Sequence, residues 1–536
     1  MFNDNEKKPC LVKLERGFSV NYQNRFLYSK YNPEKNILSV VENFEILPGT
    51  IILCFSPVLK YGIEELAKKL KENCILFGIE YDAELYEIAK SETKNLECSK
   101  NGTYILVPRN ELCFLPEKIE QLCRDGTYKR VISIEFSGGF YFNANFYTNL
   151  FEICRNTASQ FWKNRITLVK FGRKYSANLF KNLQYIPQSI NWIKTEKPII
   201  VVGAGESCEK TLLAIKKDRE KYFIIAVDAV LKTLKALKIK ADAAVCEESQ
   251  TIIAKAFSGC KNQFNYLFLS TTAANSVTRI APKKNIFYTP RFENTKFLQN
   301  LENSGILENI QQPLGSVGLS ATEIALKIRK TSDIPVFVTG LDFSYSIGKT
   351  HAKNSFPENI RRAVSSKIRG IDNFSASFGN DSTKIAGKNG INVITTTALS
   401  GYAELFKFKF AGKQNLFDSG ENGINLGLQK KNPFLPENKS IFCKNSKEEQ
   451  NSFNSEKSAK IKEYFKQEKN ALLELKDIFT GKKDFSESEK NKKIAELLEA
   501  REYLYLHFPD GYKINFSQSF LNRVRAEIDY FLKIFK

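Results

Sequence analysis

Short runs of apolar residues, each closed by a turn and followed by a helical pattern, recur through the middle of this chain. Five of them stand at 198–203, 223–227, 243–246, 266–270 and 335–340. Runs this continuously apolar read as strands buried on both faces, and their alternation with helices implies a parallel sheet. An earlier region repeats the pattern, with strands expected at 51–55, 74–79 and 131–134 and a helix near 63–72.

A chain of 536 residues is too long for one hydrophobic core, so several domains are expected. The alternation divides it into a Rossmann-like N-terminal domain over 1–165 and a central parallel-sheet α/β domain over 166–435. After about residue 428 Lys, Asn, Ser and Glu dominate, and 436–456 reads as a solvated linker. A helical domain is expected over 457–536, where Ile461, Phe465, Leu472 and Leu475, and later Phe520, Val524, Ile528 and Phe531, recur at helical spacing.

Composition narrows the function classes. The formal charge is +21, from 80 Lys and Arg against 59 Asp and Glu, but basic and acidic residues alternate with no dense basic block and no stacking motif. A nucleic-acid partner is therefore not expected. No apolar run approaches the ~20 residues of a membrane span, and the N-terminus leads into no secretory segment. The expected location is the cytoplasm. Eleven cysteines, an odd number with no Cys-x-x-Cys pair, fit reduced thiols, and with only two histidines no structural zinc site is expected.

Candidate chemistry gathers at the strand ends. Ile199-Ile200-Val201-Val202 runs into Gly203-Ala204-Gly205-Glu206-Ser207, and a helical pattern follows. Such a turn either closes the strand or lets backbone amides approach a phosphate at a helix start, with Ser207 as a cap or a ligand. Gly315-Ser316 precedes another helical run, either as a capped start or as a second anion cradle. Asp342, Tyr345 and Gly348-Lys349-Thr350-His351 follow the strand at 335–340. His351 is the leading general base, since a loop histidine can take a hydroxyl proton near neutral pH. Asp228 and Glu247-Glu248 close two further strands, either to bind hydroxyls or Mg²⁺ or as solvated ends. In the first region an acid pair, Glu80 and Asp82, ends the second strand, but the first turn, 56–62, lacks the glycines of a dinucleotide site. That domain is read as degenerate for ligand.

Taken in order, these motifs resemble the motility accessory factor family of flagellin glycosyltransferases, whose core is shared with hydroxymethylpterin diphosphokinase-like proteins. The resemblance rests on Gly203-Ala204-Gly205, Ser207, Ala226, Asp228, Lys240, Asp242, Gln250, Gly315-Ser316-Val317, Gly340, Asp342, Tyr345 and Gly348-Lys349-Thr350-His351. It extends to Arg25-Phe26-Leu27-Tyr28, to 174–183 with Asn178 and Asn182, and to Asp418-Ser419-Gly420. Glu206 stands in place of a proline, Glu248-Ser249 of Asp-Pro, and Leu341 of glutamine.

The resemblance implies a sialyltransferase-like central domain that moves a nonulosonic acid from a CMP donor to Ser or Thr hydroxyls of flagellin, in support of flagellar assembly and motility. It implies no required metal or other cofactor. Gly203, Ala204, Gly205, Ser207, Gly315, Ser316 and Tyr345 would surround the donor, Asp228 and Glu248 would face hydroxyls, Asp342 would orient the site, and His351 would be the base. The alternatives are a Mg²⁺-dependent diphosphokinase acting on a pterin through Asp228, Asp242 or Glu248, and a non-catalytic flagellin-binding assembly factor.

Overall fold

The computed structural model describes residues 8–368, 370, 378–433, 453–482, 485–511 and 513–535. The chain divides into two compact units, Met1–Lys170 with Tyr505–Asn515, and Phe171–Leu504 with Phe516–Lys536.

The first unit opens with a small antiparallel sheet of β1 (Cys10–Lys13), β2 (Phe18–Tyr22) and β3 (Arg25–Phe26). Its main sheet has β4 (Thr50–Phe55), β5 (Ile75–Ile79), β6 (Tyr104–Leu106) and β7 (Arg130–Glu135), all parallel, in the order β6-β5-β4-β7. That is the strand order of half a dinucleotide fold. Glu80, at the end of β5 where a ribose would be held, is fully buried. It accepts hydrogen bonds from the Ser56 hydroxyl at 2.6 Å, the Tyr147 hydroxyl at 2.8 Å and the Asp82 amide at 3.0 Å. The acid is thus engaged inside the protein.

The second unit is built on nine strands. In chain order they are β8 (Ile199–Val202), β9 (Phe223–Val227), β10 (Ala243–Cys246), β11 (Tyr266–Ser270), β12 (Asn285–Pro290), β13 (Ile310–Gln311) and β14 (Val336–Thr339). After a hairpin of β15 (Ser382–Ala386) and β16 (Asn392–Thr396) come β17 (Leu416–Asp418) and β18 (Gln429–Lys430). Every pairing in the large sheet is parallel, and its order is β13-β12-β11-β10-β9-β8-β14-β17-β18. The chain starts in the middle, winds out to one edge, crosses back through the helix Val317–Ile328, and continues to the other edge from β14. The order therefore reverses between β8 and β14, which opens a crevice at their carboxyl ends.

The five expected strands are β8 to β11 and β14, and in each of them no more than two residues have any exposure to water. Each fully buried Val, Ile or Leu stabilises by roughly 1.5–3 kcal/mol relative to exposure, so these runs hold the sheet together. The expected fold class, a Rossmann-like sheet followed by a larger parallel-sheet α/β domain and C-terminal helices, is the observed one.

A helix of 40 residues, Ala144–Leu183, runs through the point expected as a domain boundary at 165/166. The C-terminal helices Ser455–Phe479 and Gln518–Leu532 group with the second unit, as does Glu487–Glu499. Phe180, on the last turns of the long helix, packs edge-on against Tyr503, Phe531 and Phe535. Most of the expected linker, 436–452, lies outside the described residues.

Candidate active site

The crevice between β8 and β14 is closed by two loops that touch backbone to backbone. The Gly205 amide donates to the Gly340 carbonyl at 2.8 Å, and the Gly203 amide to the Thr339 carbonyl at the same distance. A Cβ on Gly203 would stand 2.3 Å from the Gly340 oxygen, and one on Gly205 2.5 Å from Asp342 Oδ2. Both glycines are thus demanded by loop-on-loop packing, whatever ligand they also admit.

Asp342 is buried and turned towards the first loop. Its Oδ2 accepts from the Ser207 amide at 3.0 Å and its Oδ1 from the Ser207 hydroxyl, while that hydroxyl accepts from the Gly340 amide at 3.0 Å. Burial raises the Asp342 pKa and the bonds from Ser207 pull it back. Ser207 is therefore a clasp between the two loops, and Asp342 holds the glycine turn in shape. Ala204 joins the same set through its carbonyl, which accepts from the Ala352 amide at 2.8 Å.

Leu341 has a packing role that its sequence position did not disclose. Its Cδ2 fills the space above Gly203 and Gly318, where added Cβ atoms would stand 2.6 and 2.4 Å from it. The start of the helix Val317–Ile328 is thereby seated on the crevice, with Ser316 in the capping position and its hydroxyl not bonded to the helix amides. Gly315 has φ +68°, and a Cβ there would meet Tyr402 at 2.8 Å.

An open cleft of about 470 Å³ lies over these loops, walled by Glu206, Asp342, Tyr345, Lys349 and Thr350 on one side and by the β15–β16 hairpin with Lys384 and Lys388 on the other. The hairpin is fixed by the Tyr345 amide donating to the Ile394 carbonyl at 2.7 Å and the Thr395 hydroxyl to the Phe343 carbonyl at 2.8 Å. Lys388 is sealed against Asp418 at 2.7 Å. Glu206 is not the bare negative charge its sequence suggested, because Lys349 pairs with it at 2.8 Å. Burial pushes the Glu206 carboxyl up, but the hydrogen bonds from Lys349 and Ser346 outweigh it and hold the pKa below the usual value.

His351 sits behind Thr350, whose hydroxyl lies 3.0 Å from its Nδ1 and accepts from Arg361 at 2.8 Å. Burial, with the Arg361 charge added, lowers its pKa to about 4. At neutral pH the ring is uncharged and a weak proton acceptor, so its expected role as base meets an unfavourable environment.

A second group of acids lies along the same carboxyl edge of the sheet. Asp228, just past β9, is buried, with Oδ1 accepting from the Ala229 amide at 2.7 Å and the carboxyl beside the Cys246 thiol. Burial raises its pKa to about 7, and Glu248 adds to the rise. Glu247, just past β10, accepts from the Tyr288 hydroxyl at 3.0 Å. Burial raises it to about 7 as well, with Asp228 contributing. Glu248 Oε1 accepts from the Gln250 amide at 2.9 Å. Glu247 was left out of the expected site residues; its signal in sequence was only its place at a strand end.

Asp242, named for the metal-dependent alternative, precedes β10 and so lies at the opposite edge. Arg219 pairs with it at 2.8 Å, and the Ile224 amide donates to it at the same distance. It ties strand starts together and cannot join Asp228 and Glu248 on one ion. Among the described residues no three His, Cys, Asp or Glu side chains gather as a metal-binding group. Asn178 and Asn182 are structural ties as well. Their side-chain amides donate to the carbonyls of Ser249 and Thr272, and of Thr271 and Ala273, all at 2.9–3.0 Å.

Comparison with known proteins places these features. The family described as 6-hydroxymethylpterin diphosphokinase MptE-like matches residues 176–348, which span β8 to β14 and both glycine turns. An uncharacterized protein of Treponema pallidum (strain Nichols) is 30% identical over 556 aligned positions, covering 98% of this chain and 95% of the relative. The solved Maf glycosyltransferase of Magnetospirillum magneticum AMB-1 shares the fold, with a TM-score of 0.55 at 12% identity over 98% of this chain and 91% of that one. No helix among the described residues is long and apolar enough to cross a membrane.

Proposed function

This chain belongs to one family with the Treponema pallidum protein, and we propose that it is a glycosyltransferase that works at the β8–β14 crevice. The observation that carries the reading is the crevice itself. A topological switch point, two interlocked glycine loops and a lysine-lined cleft coincide on the fold of a glycosyltransferase. In its specific form the donor is a CMP-linked nonulosonic acid and the acceptor a Ser or Thr hydroxyl of flagellin, with transfer taking place in the cytoplasm and supporting flagellar assembly. A nucleotide phosphate and a sugar carboxylate suit a cleft that holds Lys349, Lys384 and Lys388.

In that reaction the acceptor oxygen bonds to the anomeric carbon, the bond from that carbon to the phosphate oxygen breaks, and CMP leaves. The hydroxyl proton passes to a protein base. We assign it to the buried acids at the ends of β9 and β10, Asp228 and Glu247, because a group titrating near 7 is unprotonated about half the time yet basic enough to act. Gly203, Ala204, Gly205, Ser207, Gly315 and Ser316 shape the donor site, and Tyr345 forms part of the cleft wall. Asp342 acts through Ser207 as a positioning residue. No cofactor is needed for the step, since the leaving group is already a phosphate ester.

A diphosphokinase reading is favoured by the description of the matched family alone. The two are separated by measuring CMP release from a CMP-nonulosonate, with and without EDTA, beside nucleotide turnover with ATP and a pterin. Release of CMP unaffected by EDTA is expected. ATP turnover abolished by EDTA, with no CMP release, would replace the transferase reading by the kinase one. Binding of flagellin without either reaction would point to an assembly factor.

A further inference from the structure

Two lysines on the cleft are paired with acids, and the two pairs differ in kind. Lys388 and Asp418 are 10% and 7% exposed, a sealed pair that belongs to the wall. Lys349 and Glu206 are 48% and 29% exposed, at 2.8 Å, and both line the cleft. A half-exposed ion pair contributes little to stability, so exchanging one anion for another on the lysine costs little.

The backbone around Lys349 allows that exchange. The segment is anchored at both ends, by the Tyr345 amide on the Ile394 carbonyl at 2.7 Å and the Ala352 amide on the Ala204 carbonyl at 2.8 Å. Between them Gly348 has φ +82°, a Cβ there would touch nothing within 4 Å, and Ile347 is 78% exposed. The turn carrying Lys349 is thus open to solvent at Ile347 and Gly348. Glu206 does not, because it follows Gly205 in the loop clamped by Asp342.

We propose that Glu206 is a built-in substitute for the ligand's anion, holding Lys349 in the cleft until a phosphate or carboxylate of the ligand takes the lysine over. The carboxylate then sets a threshold: an anion enters only if it binds Lys349 better than Glu206 does, and Lys384, which has no ion-pair partner among the described residues, adds to that attraction. Weak anions are turned away, and Lys349 stays neutralised while the site is empty. The proposal rests on the reading of this cleft as the donor site only for the identity of the anion.

Calorimetric titration of the full chain with CMP, and separately with inorganic phosphate, tests it on wild type, Glu206→Gln, Lys349→Gln and the double variant, each checked for an unchanged melting temperature. Removing the competing carboxylate is expected to tighten binding about two- to fivefold, the range an exposed pair supports. Lys349→Gln is expected to weaken binding most, because it leaves the Glu206 carboxylate unneutralised, and the double variant to fall between it and Glu206→Gln. Unchanged or weaker binding in Glu206→Gln, with CMP still bound by wild type, would overturn the exchange and leave the donor site standing. The expected order with phosphate but no CMP binding would support the exchange and remove the nucleotide. Binding of neither anion to any variant would overturn both.

Discussion

At the scale of single residues, the decisive quantity is where each buried acid or base takes up its proton. Asp228 is pushed from an unfolded value near 3.8 to about 7, so the folded state is the one that holds the extra proton. The stability this confers is fully present below the unfolded pKa and is lost as the pH rises through about 7. Between pH 4 and pH 8, urea unfolding of the wild type should therefore lose roughly 2–4 kcal/mol more than Asp228→Asn does. Equal losses in the two proteins would mean that Asp228 is ionised in the fold. The same shift bears on the reaction. A base titrating near 7 predicts a kcat/KM that falls below neutral pH, with the inflection lost in Glu247→Gln. A profile flat from pH 5 to 9, with activity abolished by His351→Ala, would return the base to the histidine, whose pKa of about 4 leaves it unprotonated throughout that range.

Secondary elements decide what brings those residues together, and they also show what the sequence can disclose. The strands β8 to β11 and β14 were legible because a run buried on both faces has to be apolar throughout. β12 was not, because it begins at Asn285 and ends at Pro290, and β13 and β18 have two residues each, too few for any period. The helix Ala144–Leu183 escaped notice for another reason. Its early buried residues, Tyr147, Leu150, Cys154 and Ala158, serve the first unit and its later ones, Phe180 and Leu183, the second, so no single stripe runs its length. Site residues followed the same logic. Gly203, Gly205 and Asp342 were visible as strand-end motifs, but their mutual packing, the clasp at Ser207 and the seating of Leu341 on Gly203 depend on contacts more than 100 positions apart. Asn182→Ala removes two bonds to the loop after β11 and leaves buried carbonyls unpaired, so it should cost about 2–3 kcal/mol. A change below about 0.5 kcal/mol in chemical unfolding would show that water replaces the side chain. Gly205→Ala should be harsher on function, because its Cβ would displace Asp342 and open the glycine turn. CMP binding should then weaken at least about tenfold, by more than any loss of stability explains; unchanged affinity would place the donor elsewhere.

For the whole molecule, the reversal of strand order between β8 and β14 puts the open edge of a nine-stranded sheet, two glycine loops and a lysine-lined cleft in one place. The first unit has the related strand order, but its ribose acid, Glu80, is spent on Ser56, Tyr147 and the Asp82 amide. The proposed transfer chemistry is therefore assigned to the second unit. The most direct measurement is the intact mass of purified flagellin after incubation with the protein and a CMP-nonulosonate such as the pseudaminic or legionaminic form. Flagellin should gain whole sugar masses with the wild type, and few or none with Gly205→Ala. Flagellin of unchanged mass with each such donor, while the protein remains folded, would contradict a glycosyltransferase working at this crevice.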